Sequence, residues 1–408
     1  VIALETALLK GLGEVEARAD SFTGVQVDSR RIVPGDLFVA VDRGSGFVGD
    51  ALTRGAAATL VPRDAFAALA RIGGTLRARS SARIVAITGS MGKTSTKDIL
   101  AALCAPSART IAAEASFNNE IGVPLTLCRL EEDTEVCVLE LAMRGFGQIA
   151  GLAEIAQPHI GVVTNVGPVH LELVDSLDGV ARAKGELIAA LPAGGTAIVP
   201  EDFPASREDI EVVRVHAPEA IRSEGRTDVG GVSFNFTAQH QVENAATALA
   251  ALAALGLARP KRVDVDFARW RGEEQELPGG GLLINDAYNA NPVSMRAALA
   301  YLAERAGDRR RVAILGEMAE LGRTGPQYHR EVGAAASELG VDELLAVGEL
   351  ARGYLEAGVP GHWVANVHDA LGQVDELVRP GDAVLVKASR AVGLEAVAAA
   401  LTQIPTTT

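Results

Sequence analysis

The chain has 408 residues, 48% hydrophobic and 22% charged. That is a globular composition, and a length that points to two or three domains rather than one core. The formal net charge of −14 argues against a broad basic surface for nucleic acid, although a local cluster of Lys, Arg and helix N-termini can still take a small anion. No apolar run reaches the roughly 18 residues of a membrane span, and the opening "VIALETALLKGLGEVEA" carries an acid in its apolar run and no basic lead, unlike a signal peptide. The expectation is a soluble, cytoplasmic chain.

Residues 1–82 hold "GVQVDSRRIVPGDLFVAV", two short strand-like runs around a turn, then "ALTRGAAATLVP", a helix running into a strand. They read as a small α/β domain. Residues 83–274 alternate strand, loop and helix. "RIVAITG", "VCVLEL", "HIGVVTNV" and "GTAIVP" are buried-strand patterns, and their separation by helical stretches predicts a parallel sheet covered on both faces. The alanine-rich "ENAATALAALAALGLA" reads as a buried helix. Residues 275–408 repeat the alternation through "GGGLLINDAY", "RVAILGEM", "ELLAVGE" and "AVLVKASR", with helices such as "PVSMRAALAYLAERA" between, and predict a second, Rossmann-like α/β domain. The polar, Gly-rich "RWRGEEQELPGGG" reads as a link and candidate hinge. Cys104, Cys128 and Cys137 make no C-x-x-C pair and lie in apolar surroundings, so buried free thiols are expected.

The stretch "ARIVAITGSMGKTSTKDILAAL" (82–103) carries the chemistry. A phosphate loop needs converging backbone N–H groups, glycines that permit their approach and a helix N-terminus behind them. Gly89 and Gly92 supply the glycines and the helix opens at Lys93. Only Ser90 and Met91 separate the two glycines, where the Walker pattern has four residues. Lys93 is placed to reach the terminal phosphates and the Thr94 hydroxyl, next to Ser95, to ligate magnesium. Parallel sheets present ligands at the carboxyl ends of their strands. Glu140 ends "VCVLE" and His170 follows "IGVVTNVGPVH", which makes both candidate metal ligands. Lys184, by composition alone, is a surface helix lysine.

Together these residues resemble the Mur ligase superfamily, the ATP-dependent amino-acid and peptide ligases of bacterial cell-wall synthesis. The resemblance lies in the short loop "TGSMGKTS" (88–95), "SFNNEIGVPLTL" (116–127), "TNVGPVHLE" (164–172), the Lys184 segment, "INDAYNANPVSM" (284–295) and "ILGEMAELG" (314–322), and it runs over nearly the whole chain. It implies three α/β domains: a small N-terminal domain for the nucleotide-linked substrate, a central P-loop ATPase domain and a C-terminal Rossmann-like domain that closes on it. It further implies that ATP activates a carboxylate of UDP-N-acetylmuramoyl-tripeptide as an acyl phosphate, which the amine of D-alanyl-D-alanine then attacks.

Position by position, the resemblance puts Ser29 and Arg30 at the uridine nucleotide and Asn118 and Asn119 in a loop shaping the substrate site. Lys93 and Thr94 serve the γ-phosphate and its magnesium, Glu140 and His170 serve metal ions, and Lys184 becomes a carbamate holding a second magnesium. Asn244 lies near the adenine, and Arg271 reaches toward the γ-phosphate. Asp286, Tyr288 and Asn289 form the third domain's side of the ATP site, with Asn291 near the incoming dipeptide. Ala388 stands where the family usually has glycine, and the first domain is shorter than the family pattern. The alternatives are a sister ligase that adds a single amino acid, the folylpolyglutamate ligase, a nucleotide-driven switch, or an inactive nucleotide-binding scaffold. A monomer is expected.

Overall fold

The computed structural model describes residues 2–216, 219–223 and 225–403. The backbone gathers into two compact units, the first made of Val1–Asn165, Ala181–Thr237 and Gln241–Asp266, the second of Val166–Val180, Ala238–His240 and Phe267–Thr408.

In the first unit, the strands Gly13–Ala17, Ala58–Pro62, Asp36–Val39 and Gly24–Gln26 form, in that order, a mixed four-stranded sheet. A six-stranded, wholly parallel sheet carries the order Glu211–Val215, Thr196–Pro200, Ile160–Val163, Arg83–Thr88, Val136–Glu140, Thr110–Ala112. Arg83–Thr88 sits at its middle because Ile84, Val85, Ala86 and Ile87 are apolar on both faces and fully buried, the pattern of a strand with helices above and below. The chain enters the sheet at this strand and later lays one strand on each side of it. The carboxyl end of Arg83–Thr88 is therefore the switch point where doubly wound sheets bind ligands. Register pairs Ile87 with Glu140 and Thr88 with Val163, which brings three strand ends to one place.

The second unit is built on a six-stranded sheet, Glu273–Leu277, Gly281–Asn285, Ala383–Lys387, Arg311–Gly316, Glu343–Val347 and Gly361–Val364. It is parallel except for its first edge strand. Along Arg311–Gly316, Ala313 and Leu315 pack into one core while Val312 and Ile314 pack into the other, so helices cover both faces.

The polar stretch read as a link contains that edge strand. Glu273–Leu277 pairs antiparallel with Gly281–Asn285, Glu274 and Glu276 facing water and Leu277 buried. An edge strand tolerates charge on its outer row, which is why its alternation is hidden in the composition. Among the described residues no helix is long and apolar enough to cross a membrane.

Candidate active site

The loop after Arg83–Thr88 takes its shape from two glycines and two residues of a neighbouring strand end. Gly89 has φ 151° and Gly92 φ 76°, backbone that a side chain disfavours. A Cβ on Gly89 would stand 1.8 Å from Thr164 Oγ1, and one on Gly92 2.2 Å from Asn244 Oδ1. Thr164 Oγ1 and Asn165 Nδ2 donate to the Met91 carbonyl at 2.6 and 3.1 Å, while Asn165 Oδ1 and its carbonyl accept from the Met91 and Ser90 N–H groups. The helix Lys93–Cys104 starts from Gly92, and Lys93 Nζ donates back over the loop to the Gly89 carbonyl at 2.8 Å. The result is a positive helix end with a cation folded across a rigid turn, the construction that receives phosphate.

Beside the loop lies a buried oxygen cluster. Thr94 and Glu140 are each 1% exposed. Glu140 Oε2 accepts from Thr94 Oγ1 at 2.7 Å, and its other oxygen accepts from Asn118 Nδ2 at 2.8 Å. A hydroxyl and a carboxylate in contact are hard oxygen donors of the kind magnesium takes, so this pair fits that ion chemically.

Lys184, on the helix Leu177–Ala189, is 2% exposed. It makes no hydrogen bond or ion pair among the described residues. Burial, with the Lys93 ammonium adding to it, pushes its pKa well below the ordinary lysine value. Composition alone suggested a solvated lysine; the structure buries it, in surroundings that disfavour the charged form.

The remaining predicted residues of the first unit have defined partners. Asn244, 7% exposed, accepts from Thr96 Oγ1 at 3.4 Å and donates to Gln241 Oε1 at 3.0 Å. Asn119 Oδ1 accepts from the Ile121 and Gly122 N–H groups and thereby shapes the start of the helix Gly122–Leu127. Ser29 is buried at the head of the 3₁₀ turn Ser29–Arg31, and its hydroxyl helps hold the Asp50 carboxyl below the ordinary carboxylate range. Arg30 projects into solvent, held by Asp28 at 2.7 Å.

The second unit holds the other candidates. His170 opens the short helix Leu171–Val174 in left-handed backbone, φ 52°, and its Nδ1 lies 2.5 Å from Glu320 Oε2. It falls in this unit, whereas Glu140 falls in the first. Arg271 stacks its guanidinium 4.1 Å over the Tyr288 ring, with a buried Nε that has no hydrogen-bond partner among the described residues. Lys387, 2% exposed, donates to Asp286 Oδ2 at 2.6 Å and to the Asn289 carbonyl at 2.8 Å. Asn291 is the N-cap of the helix Pro292–Ala306. Its side chain accepts from the Ser294 N–H and the Ser294 hydroxyl returns the bond, so its side-chain oxygen is already engaged in a capping box.

Among the described residues no three His, Cys, Asp or Glu side chains cluster as a ready metal site. Sequence reasoning passed over Thr164 and Asn165, which brace the loop; the signal was their position at the end of "GVVTN". It also passed over Glu320 and Lys387, whose contacts span 150 and about 100 positions of chain.

Comparison with known proteins adds to this geometry. The family model for the Mur ligase middle domain matches residues 87–252 and that for the Mur ligase glutamate ligase domain residues 270–390. The chain is 35% identical to a UDP-N-acetylmuramoyl-tripeptide–D-alanyl-D-alanine ligase from Synechocystis sp., covering 92% of this chain and 90% of the relative. It is 31% identical to the ligase of the same name from Escherichia coli, covering 95% and 96%. A crystal structure of MurF from Acinetobacter baumannii superposes with TM-score 0.85 at 27% identity over 99% of this chain and 100% of that one. MurF from Thermotoga maritima in complex with ADP superposes with TM-score 0.76 at 25% identity, over 93% and 97%.

Proposed function

The chain belongs to the Mur ligase family, and from that premise we propose how its residues carry out an ADP-forming amide ligation. The enzyme joins D-alanyl-D-alanine to UDP-N-acetylmuramoyl-tripeptide at the expense of ATP, a step of peptidoglycan precursor synthesis. A carboxylate oxygen of the tripeptide attacks the γ-phosphorus, the bond to the bridging oxygen breaks, and ADP leaves. The dipeptide amine then attacks the acyl-phosphate carbonyl, phosphate departs from the tetrahedral intermediate, and the amine's extra proton is released. Both steps gather negative charge on oxygens, so the protein's work is alignment and charge neutralisation.

The observation that carries the reading is the Thr94–Glu140–Asn118 cluster directly behind a phosphate loop, with the unpaired, buried Lys184 on the same unit. Lys93 is assigned to the γ-phosphate. Magnesium held by Thr94 and Glu140 would neutralise phosphate oxygens when bound. Lysine adds carbon dioxide through its neutral amine, the form that burial favours at Lys184: the nitrogen–carbon bond forms, a proton leaves, and the amine becomes an anionic carbamate. Lys184 is therefore assigned as the carbamate for a second magnesium, and His170 is assigned to a metal ion.

The remaining roles follow the family pattern: Ser29 and Arg30 at the uridine nucleotide, Asn119 at the tripeptide, Asn244 at the adenine, Arg271 at the γ-phosphate. Asp286, Tyr288 and Asn289 line the nucleotide, and Asn291 is assigned to the dipeptide through its backbone, since its side-chain oxygen caps a helix. We place the enzyme in the cytoplasm, where ATP and nucleotide-linked precursors are found, and expect a monomer.

The test is phosphate release from ATP and magnesium with UDP-N-acetylmuramoyl-tripeptide present and D-alanyl-D-alanine added or omitted. Release that needs both, with a product heavier by the dipeptide, is expected. Turnover with a single amino acid in place of the dipeptide, or hydrolysis indifferent to both substrates, would overturn it. Native mass spectrometry with and without bicarbonate checks the carbamate separately.

A further inference from the structure

Lys97 lies one helical turn beyond Lys93 on the helix that follows the phosphate loop, and so on the same face. It is 3% exposed, and its ammonium is saturated. Nζ donates to the Ala113 carbonyl at 2.7 Å and the Ala115 carbonyl at 3.2 Å, and pairs with Asp98 Oδ1 at 2.8 Å. Lysine has three ammonium donors, and here all three have acceptors. A lysine this buried is rare unless paired; here the Asp98 carboxylate offsets the cost of burying the charge, and the two remaining donors hold backbone carbonyls.

Those two carbonyls belong to the segment that delivers Asn118 to Glu140. Ala113 continues the sheet by donating to the Val138 carbonyl at 3.0 Å. Ala115 then turns through left-handed backbone, φ 44°, a conformation that disfavours alanine. Phe117 N–H closes a turn onto the Glu114 carbonyl, and Asn118 is fixed at its carbonyl by the Ala142 N–H at 2.9 Å and at its side chain by Glu140. The bonds of Lys97 fall on both sides of Glu114, bracketing the entry to the left-handed turn. Without them a strained turn loses its anchor to the phosphate-loop helix, and Asn118 loses the fixed approach that aims its amide at Glu140.

We propose that Lys97 is a positioning residue for the ligation. It ties the 113–118 segment to the helix bearing Lys93 and Thr94, so that Asn118 holds the Glu140 carboxylate in the orientation in which it meets Thr94. The proposal rests on the ligase reading above. It assigns Lys97 no contact with substrate. Its effect passes through Asn118, and that sets its signature: loss of turnover with little change in ATP affinity, and no added loss once Asn118 is already gone.

The experiment compares the unaltered enzyme, Lys97→Met, Asn118→Ala and the double variant for kcat, for KM of ATP, and for midpoint of thermal unfolding. Lys97→Gln, whose amide can still donate to one carbonyl, stands in if the methionine variant does not fold. If the unaltered chain fails to ligate, the ligase reading itself falls. If it ligates, kcat in Lys97→Met is expected to drop about 10- to 100-fold, the scale of a misplaced catalytic group, with KM for ATP changed less than about threefold. The double variant should match Asn118→Ala within about twofold, the mark of coupled residues. A folded Lys97→Met with unchanged kcat and only a lower unfolding midpoint would reduce the residue to a structural tie. Multiplicative losses in the double variant would show that it acts by a route other than Asn118. Either result overturns the proposal.

Discussion

Gly92→Ala is the sharpest test of how the phosphate loop is held. Gly92 is the N-cap of the helix Lys93–Cys104 at φ 76°, ψ −7°, and left-handed backbone costs an L-residue about 1–2 kcal/mol. The new Cβ would stand 2.2 Å from Asn244 Oδ1, 3.2 Å from its Cγ and 3.5 Å from its Nδ2, so the asparagine amide must swing away. Asn244 is buried and donates to Gln241 Oε1 at 3.0 Å; losing a bond of that kind costs about 1 kcal/mol. The sum is about 2–3 kcal/mol, read as a lower unfolding midpoint in urea.

Asn244→Ala removes the obstructing oxygen and leaves only the backbone strain. The double variant should therefore cost about 1 kcal/mol less than the two single changes added together. ATP binding, followed by calorimetry, should weaken in Gly92→Ala because the loop N–H groups no longer converge. A cost below about 0.5 kcal/mol in Gly92→Ala would mean the loop relaxes freely. Strict additivity with Asn244→Ala would mean the two side chains do not meet. Either would refute this account of the loop.

Three further outcomes are expected. Thr94→Ala leaves Glu140 Oε2 buried without its donor, costing about 1–3 kcal/mol in unfolding, and should lower phosphate release far more than nucleotide affinity; equal losses in both would refute its assignment to transfer. Cys104, Cys128 and Cys137 are buried and free, and burial pushes each thiol up to about 12, so iodoacetamide at pH 8 should label none of them until the chain is unfolded. His329 accepts from the Met318 N–H at 3.0 Å through Nε2, its Nδ1 lies 2.7 Å from the Gly325 carbonyl, and burial lowers its pKa below the ordinary 6.5 despite Glu317 nearby. The unfolded chain then takes up that proton before the folded one, so stability should hold above pH 6.5 and fall as pH drops below it. His329→Gln should flatten that fall in urea unfolding, and an unchanged slope would refute the assignment.

What could be read in the sequence follows how far each residue's partners lie along the chain. The strand, two glycines and helix of the phosphate loop occupy one local run, so its pattern is visible before folding. Glu140 is visible because a strand end in a parallel sheet has a known destination, and the structure puts it against Thr94. Asn291 shows the limit of reading by resemblance alone. "NPVS" is a local capping pattern, with Pro at the first helical position and a reciprocal serine, and that signal was available beside the family role.

The lysines divide by the same rule. Lys93 is legible from its loop, but Lys97 and Lys184 are both ordinary helix lysines on paper. Burial separates them from solvent, and pairing separates them from each other: Lys97 pairs with the adjacent Asp98 and has acceptors 16 and 18 residues away, and Lys184 has none among the described residues. Two helix lysines of nearly the same burial thus differ in their surroundings: one ammonium is fully engaged by acceptors, and the other is held where burial disfavours its charged form. Only part of that difference is local, in the adjacent Asp98; the carbonyls of Ala113 and Ala115 that complete it lie outside the helix. Moving an acceptor should therefore move the chemistry. A carboxamide or carboxylate placed within reach of Lys184 would return it toward an ordinary cation and abolish any uptake of carbon dioxide, with the phosphate loop left unaltered in sequence.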